Sequence, residues 1–366
     1  MPYDRIDPNL INVLPLDKRT SYIQIEQEAL DPADDAPDPG AMRGQIDRLA
    51  QRIDQAHDRG ASVMLVYGAH VIKNGCAPLI NALLETGKIT HLATQGAGII
   101  HDWEFAFLGR SSESVRDNTP KGRFGTWDET GRYLNLAALI GAADGIGWGE
   151  AVGRMVFEDG LTMPDPAELA KWVSENPGHD LAAAKADLLN VMQRFNLAPG
   201  RHEVKHPYKQ YSVLAGSYRH RVPLTVHPGI GYDIITNHPM FHGGAIGRAS
   251  GTDTRIFAHG VKHLSGGVYL SIGSAIMSPQ IFEKALSLAN NLLQPEGRRV
   301  EGHHMAVVDI QDGGGWDWTR GEPPKDSPAY YLRFCKTFAR MGGTLDYLCG
   351  DNRVVLANLV KTLRTS

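Results

Sequence analysis

The 366 residues carry 37 Lys and Arg against 41 Asp and Glu, a formal net charge of −4, which offers no basic surface for nucleic acid or an anionic membrane. Hydrophobic residues make up 42% and charged residues 21%, the balance of a globular chain long enough to bury a large core, with no run of about 18 apolar residues to suggest a membrane span. The three cysteines, Cys76, Cys335 and Cys349, cannot all pair and lack metal-ligand spacing, so a reducing, cytoplasmic setting is expected.

Residues 1–40 are rich in Asp and Pro, above all Asp31-Pro32-Ala33-Asp34-Asp35-Ala36-Pro37-Asp38. Such a composition cannot build a core and predicts an extended arm that wraps the surface or reaches a neighbouring subunit. A single large α/β domain is expected over 41–366, with a helical insertion at about 160–200. Ile46, Leu49, Ala50, Ile53 and Ala56 recur at helical spacing and predict an amphipathic helix over 42–59. An apolar run at 63–67 then ends in Gly68-Ala69-His70, followed by a helical segment at 78–85. A second run at 89–93 ends in Thr94-Gln95-Gly96-Ala97-Gly98 and opens another helix. Strand, small-residue turn and helix, twice over, is the sequence form of a parallel βαβ unit.

Thr126 and Glu129 have the spacing of a capping box, predicting a helix from there to Gly141. Two more helices are expected at 166–173 and 181–195. Further strands follow at 222–226, 267–272, 305–310 and 344–348. They run into His227-Pro228-Gly229, Gly273-Ser274-Ala275, Gln311-Asp312-Gly313 and Cys349-Gly350-Asp351 respectively. Six strands ending in small or acidic residues, most followed by helices, predict one doubly wound parallel sheet of Rossmann type. Ligands of such sheets lie beyond the carboxyl ends of the strands.

Several side chains at that edge suit chemistry. His101, with Asp102 and Glu104, offers a base near neutral pH with an orienting carboxylate, although Asp102 can equally cap a helix and His101 or His70 can be a hydrogen-bonded framework residue. His227 and Asp233 flank a Gly-Ile-Gly turn. His238 and His242 are four apart, but Pro239 interrupts them and no metal site is expected. Gly313-Gly314-Gly315-Trp316-Asp317-Trp318 reads either as an aromatic flap or as interface tryptophans.

Taken in order, these turns resemble those of deoxyhypusine synthase and its bacterial relatives, over roughly residues 60–360. Gly68-Ala69-His70 is similar to that family's Thr-Ser-Asn turn, Thr94 to Gly98 to its Thr-Thr-Ala-Gly-Gly, and His101-Asp102 to its Glu-Asp. Gly229 to Asp233 resembles the Asp-Gly-Ser-x-Gly-Asp turn. Val308 to Gly313 resembles Asn-Thr-x-Gln-Glu-Phe-Asp-Gly, and Gly350-Asp351 an Ala-Asp pair that helps to hold NAD. The resemblance implies an NAD site formed by Gly68, Ala69, His70, Thr94, Gly96, Ala97, Gly98, Asp309, Asp312 and Asp351. It also implies catalytic roles for His101, Asp102, Glu104, His227 and Asp233, within a homotetramer.

The departures bear on the reaction. An arginine, Arg333, stands where the family's imine-forming lysine should be, and arginine stays protonated. Lys336 is one turn away, and the family's Lys-His-His after a glycine run is replaced by Tyr269-Leu270-Ser271. Residues 95–104 also resemble the Gly-Asn-Ala-x-x-x-His-Asp-x-Glu pattern of an ornithine-cyclodeaminating branch. The expectation is therefore an NAD-binding enzyme acting on a small amine or amino acid by transient oxidation, deamination or group transfer, rather than a protein-modifying synthase. A non-redox hydrolase or lyase using histidines or a metal, or a non-catalytic ligand-binding protein, are the alternatives.

Overall fold

The computed structural model of the chain describes residues 3–365. Its centre is a six-stranded, wholly parallel sheet: β1 (Val63–Tyr67), β2 (His91–Gln95), β3 (Leu224–His227), β4 (Val268–Ile272), β5 (His304–Asp309) and β6 (Thr344–Cys349). The spatial order is β6-β5-β4-β1-β2-β3, so chain order reverses between β1 and β4. A crevice forms at such a switch point because the chain leaves the two strands in opposite directions.

The labelled helices are α1 (Arg43–Asp58), α2 (Ala69–Lys73), α3 (Ala77–Glu85), α4 (Gly96–Leu108), α5 (Gly243–Lys262), α6 (Met277–Leu293) and α7 (Asn352–Thr365). Alternation along each strand divides the core in two. Leu65, Leu92, Leu270 and Val308 pack with α1, α3, α4 and α7 on one face. Met64, Ala93, Tyr269 and Met305 pack with Phe257 of α5 and with Phe282, Ala285 and Ala289 of α6 on the other. Near-continuous apolar runs are what strands covered on both faces require.

The outer edge of the sheet is closed by a side chain. Asp253 Oδ2 accepts the N–H of Val226 on β3 at 3.0 Å and those of Trp148 and Gly149 at 3.0 and 3.2 Å. One buried carboxyl thus serves an edge strand and a helix N-terminus together, and burial pushes it up to about 7.

Three expectations need correction. Within residues 1–40, Leu16 and Ile25 are fully buried in the domain's own core, whereas Asp35 and Pro37 lie along the surface of α7. Ile23–Gln24 pairs antiparallel with Arg110–Ser111. The capping box does not form: the helix is Asp128–Asp144 with Trp127 as its N-cap, and Glu129 reaches back to the Leu16 N–H at 2.6 Å. Trp318 is buried, donating Nε1–H to the Gly313 carbonyl at 3.0 Å, and Trp316 donates to Gly321 at 2.9 Å, which pins the loop instead of leaving an aromatic flap. The helices Pro166–Glu175 and Ala182–Arg194 are bracketed by an antiparallel pair, Gly160–Met163 with Gly200–Glu203, which apolar periodicity did not announce.

Candidate functional site

The open part of the carboxyl edge is a crevice of about 420 Å³ beyond β1, β4, β5 and β6, the size of a small-molecule pocket. His70, Asn74, Gly273, Asp309, Gln311, Asp351 and Asn352 are among its lining residues. Its floor depends on Gly68, where a Cβ would lie 1.9 Å from the Gly273 carbonyl oxygen. Gly273 itself has a φ of +59°, in the region that favours glycine. Asn74 donates to Asn352 Oδ1 at 3.2 Å, tying the turn after β1 to the start of α7. Asp309 accepts the Gln311 N–H at 3.1 Å. Arg353 at 2.7 Å holds Asp351 below the usual carboxylate range.

The glycine turn after β2 is occupied by the protein. Asp233 accepts the N–H groups of Gly229, at 2.8 Å, and Ala97, so its carboxyl fills the place at the start of α4 that an anion would take. A Cβ on Gly96 would meet Asp233 Oδ2 at 2.1 Å, and one on Gly98 would meet Thr94 Oγ1 at 2.0 Å. Thr94 in turn donates to the Tyr67 carbonyl at 2.9 Å. These glycines serve packing. Burial pushes Asp233 up to about 6, against the pull of the two N–H groups.

One turn into α4 lies a polar chain. His101 Nδ1 is 2.7 Å from Ser111 Oγ, and Ser111 donates to Glu104 Oε2 at 2.5 Å. Thr130 donates to Glu104 Oε1 at 2.8 Å, and Arg19 grips both carboxylate oxygens at 2.8 and 2.7 Å. Burial alone would raise Glu104, but Arg19 and the hydrogen bonds hold it below its ordinary value. Burial lowers His101 to about 4 despite Glu104, with Lys73, Arg19 and His70 adding to the depression. The ring is therefore neutral at pH 7.

Ser111 has one proton, and an ionised carboxylate can only accept. That proton goes to Glu104, so Ser111 Oγ accepts from His101, and Nδ1 carries the hydrogen. The lone pair is left on Nε2, which makes no hydrogen bond among the described residues. A neutral imidazole with its tautomer fixed in this way offers a hydrogen-bond acceptor at Nε2.

The other expected site residues lie elsewhere. Asp102 is fully buried, accepting from the Ser212 hydroxyl and, at 2.7 Å, from the Val213 N–H; it caps the helix Val213–His220. Burial pushes it up to about 7. His227 sits on the α5 face of the sheet, its ring against Phe257 and its Nε2 3.2 Å from Thr225 Oγ1, which His91 shares at 3.0 Å. Burial lowers His227 to about 4. The sheet separates it from the core that α4 joins. Asp312 is exposed and holds its own loop through the Gly314 N–H at 2.6 Å. Ala69 is buried under the turn that carries His70.

The structure thus gathers His70, Asp309 and Asp351 at the crevice, with Gly68 against Gly273, and places His101 and Glu104 on α4, which packs against the α2 helix of His70. Sequence reasoning missed Arg19, Ser111 and Lys73. Arg19 and Ser111 carry no local signal because their partner lies 85 or 7 residues away. Lys73 had one, the i, i+3 spacing from His70. Cys76 is buried and its thiol is pushed up to about 12. Among the described residues there is no cluster of three or more metal-ligating side chains, and no helix is long and apolar enough to cross a membrane.

No family model and no curated protein matches the chain. Among solved structures it is similar to a conserved protein of LOR/SDH type from Methanococcus maripaludis S2, at 14% identity and a TM-score of 0.43, covering 92% of this chain and 74% of that one. It is also similar to ArgZ, an arginine dihydrolase from the ornithine-ammonia cycle in cyanobacteria, at 14% identity and 0.39, covering 88% and 32%. For AgrE in complex with ornithine and NAD+ the values are 12% and 0.42, with 91% and 34% covered. The chain spans about a third of the length of the latter two. Likeness of this degree assigns neither family nor activity.

Proposed function

We propose that the protein is an NAD-binding enzyme of deoxyhypusine synthase-like type that acts on a small amine or amino acid by oxidation or deamination. The observation that carries this reading is an open crevice at the topological switch point, lined by His70 of α2, the helix that packs against the α4 helix of the neutral, tautomer-fixed His101. The residues present fit the cofactor: Gly68 and Gly273 leave room for close approach, and the half-buried Asp309 and Asp351 carboxylates can accept ribose hydroxyls. Bound there, NAD would supply the hydride acceptor. His101 Nε2 would accept an N–H of the neutral substrate amine and orient it, so that the nitrogen lone pair assists loss of hydride from the adjacent carbon and the product leaves as the iminium. His70 of α2, which lines the crevice, would contact the bound cofactor.

Thermal unfolding with added NAD or NADH tests this. At about 100 times the dissociation constant, either should add about 2.7 kcal/mol to the stability. No shift with both would remove the redox reading. The plugged turn after β2 favours a second reading, a non-redox lyase in which His101 works on a ligand of another kind in the same crevice. Turnover of an amine without nicotinamide cofactor would select it.

A further inference from the structure

We propose that Asn74 and Asn352 together read a flat edge of the bound dinucleotide on which an N–H stands beside an acceptor, as on the nicotinamide carboxamide or the amino edge of adenine. This deepens the reading above and rests on its assignment of NAD to the crevice. Asn74 caps the end of α2 and Asn352 opens α7. Both line the crevice and are half-buried, and the Asn74 amide donates to Asn352 Oδ1 at 3.2 Å. That single bond holds two side chains in one arrangement without using up either amide. Asn74 Oδ1 and Asn352 Nδ2 make no hydrogen bond among the described residues. The open amino group faces the crevice floor: a Cβ on Gly273 would lie 4.0 Å from Asn352 Nδ2.

The open groups are the same whichever amide donates, because one bond between two asparagines leaves one carbonyl oxygen and one amino group. Simpler ligand groups match half of this. A carboxylate or phosphate only accepts, and it would also meet Asp309 and Asp351, which line the same crevice. An ammonium only donates and leaves the Asn352 amino group with no acceptor. A primary amide carries both functions in one plane. So does adenine where its amino group adjoins a ring nitrogen, the edge on which asparagine amides pair with that base. The ribose diols of NAD are the natural donors to Asp309 and Asp351, whose ionised carboxylates only accept. That leaves the two base edges for the asparagine pair.

The test is calorimetric titration of the full chain with NAD and two analogues, each altered at one end. Nicotinic acid adenine dinucleotide carries a carboxylate in place of the carboxamide, and nicotinamide hypoxanthine dinucleotide a carbonyl in place of the adenine amino group. One of the two should bind about tenfold or more weakly than NAD, the loss expected when a polar edge finds no match. Weakening of the first places nicotinamide on the pair, and weakening of the second places adenine there. Asn74→Ala and Asn352→Ala should each weaken NAD and abolish that discrimination, whereas a loss due only to the added carboxylate charge would persist in both. Asn74 has a φ of −85° and Asn352 opens a helix, so alanine suits both backbones. Equal binding of all three dinucleotides, or undiminished discrimination in either variant, overturns this inference and leaves the NAD reading standing. No binding of NAD removes the reading above and this inference with it.

Discussion

At the ends of β2 and β3 the rim of the sheet is filled by the protein itself, with Asp233 on the Gly229 and Ala97 N–H groups and Thr94 against Gly98. At the ends of β4, β5 and β6 the rim is open, and Gly273, Asp309 and Asp351 line a crevice of about 420 Å³. The first region has the more ligand-like sequence, Thr-Gln-Gly-Ala-Gly, and the second the plainer one. A glycine shows only that something comes close to the backbone. Whether that is a ligand or a side chain far off in the sequence, as Asp233 is from Gly96, is decided by tertiary structure.

The largest expected effect concerns the buried charges that support His101 on α4, the helix that starts at the filled turn. Arg19→Ala removes the only cation, among the described residues, bonded to a fully buried Glu104 and should cost about 3–5 kcal/mol, since an uncompensated buried charge is left behind. The readout is the urea midpoint, together with loss of the Nδ1–H signal of His101. A loss below about 1 kcal/mol would mean that Glu104 is solvated or protonated, and the tautomer argument would fall.

Asp233 separates the two halves by pH. Its carboxyl titrates at about 6 in the folded chain against an ordinary 3.8. The folded state therefore holds the extra proton between those values, and the stability this gives is full below 3.8 and lost as pH rises through 6. Asp233→Asn should flatten the decline between pH 4 and 7 by roughly 2–3 kcal/mol relative to wild type. Asp102 and Asp253, both near 7, impose a decline of the same sign in both proteins, so the difference between the two curves is the measurement. Parallel curves would show that Asp233 does not fill the turn.

Much of the scaffold was legible beforehand. All six strands stand within two residues of the runs that announced them, most clearly β1 and β4, which are buried at every position and so must be nearly continuously apolar. The site was legible only in pieces. His70, His101, Asp309 and Asp351 were marked by position at strand ends. Asp102 and Glu104 were both offered as the orienting carboxylate of His101, yet neighbours along a helix point in different directions, and Asp102 faces Ser212 and Val213 instead. Glu104, three residues on, took that role through Ser111. Arg19 was hidden in a segment whose composition read as surface.

A change in the open half tests its floor. Gly68→Ala drives a methyl into the Gly273 carbonyl and should cost about 1–3 kcal/mol as β1 and β4 spread. Because the crevice sits on that contact, stabilisation by NAD should shrink as well. Unchanged NAD response with lowered stability would place the cofactor elsewhere.

The smallest effect is the sharpest control on where the open half ends. Asp309 and Asp312 are three residues apart, and both were expected to hold cofactor. Asp309 faces the crevice, whereas Asp312 is exposed and ties its own loop through the Gly314 N–H. Asp312→Ala should change stability by no more than about 0.5 kcal/mol and leave the NAD response untouched, whereas Asp309→Ala should weaken that response. If Asp312→Ala weakens it equally, the loop after β5 closes over the bound cofactor. The boundary of the open half would then be set by the ligand, not by the sheet.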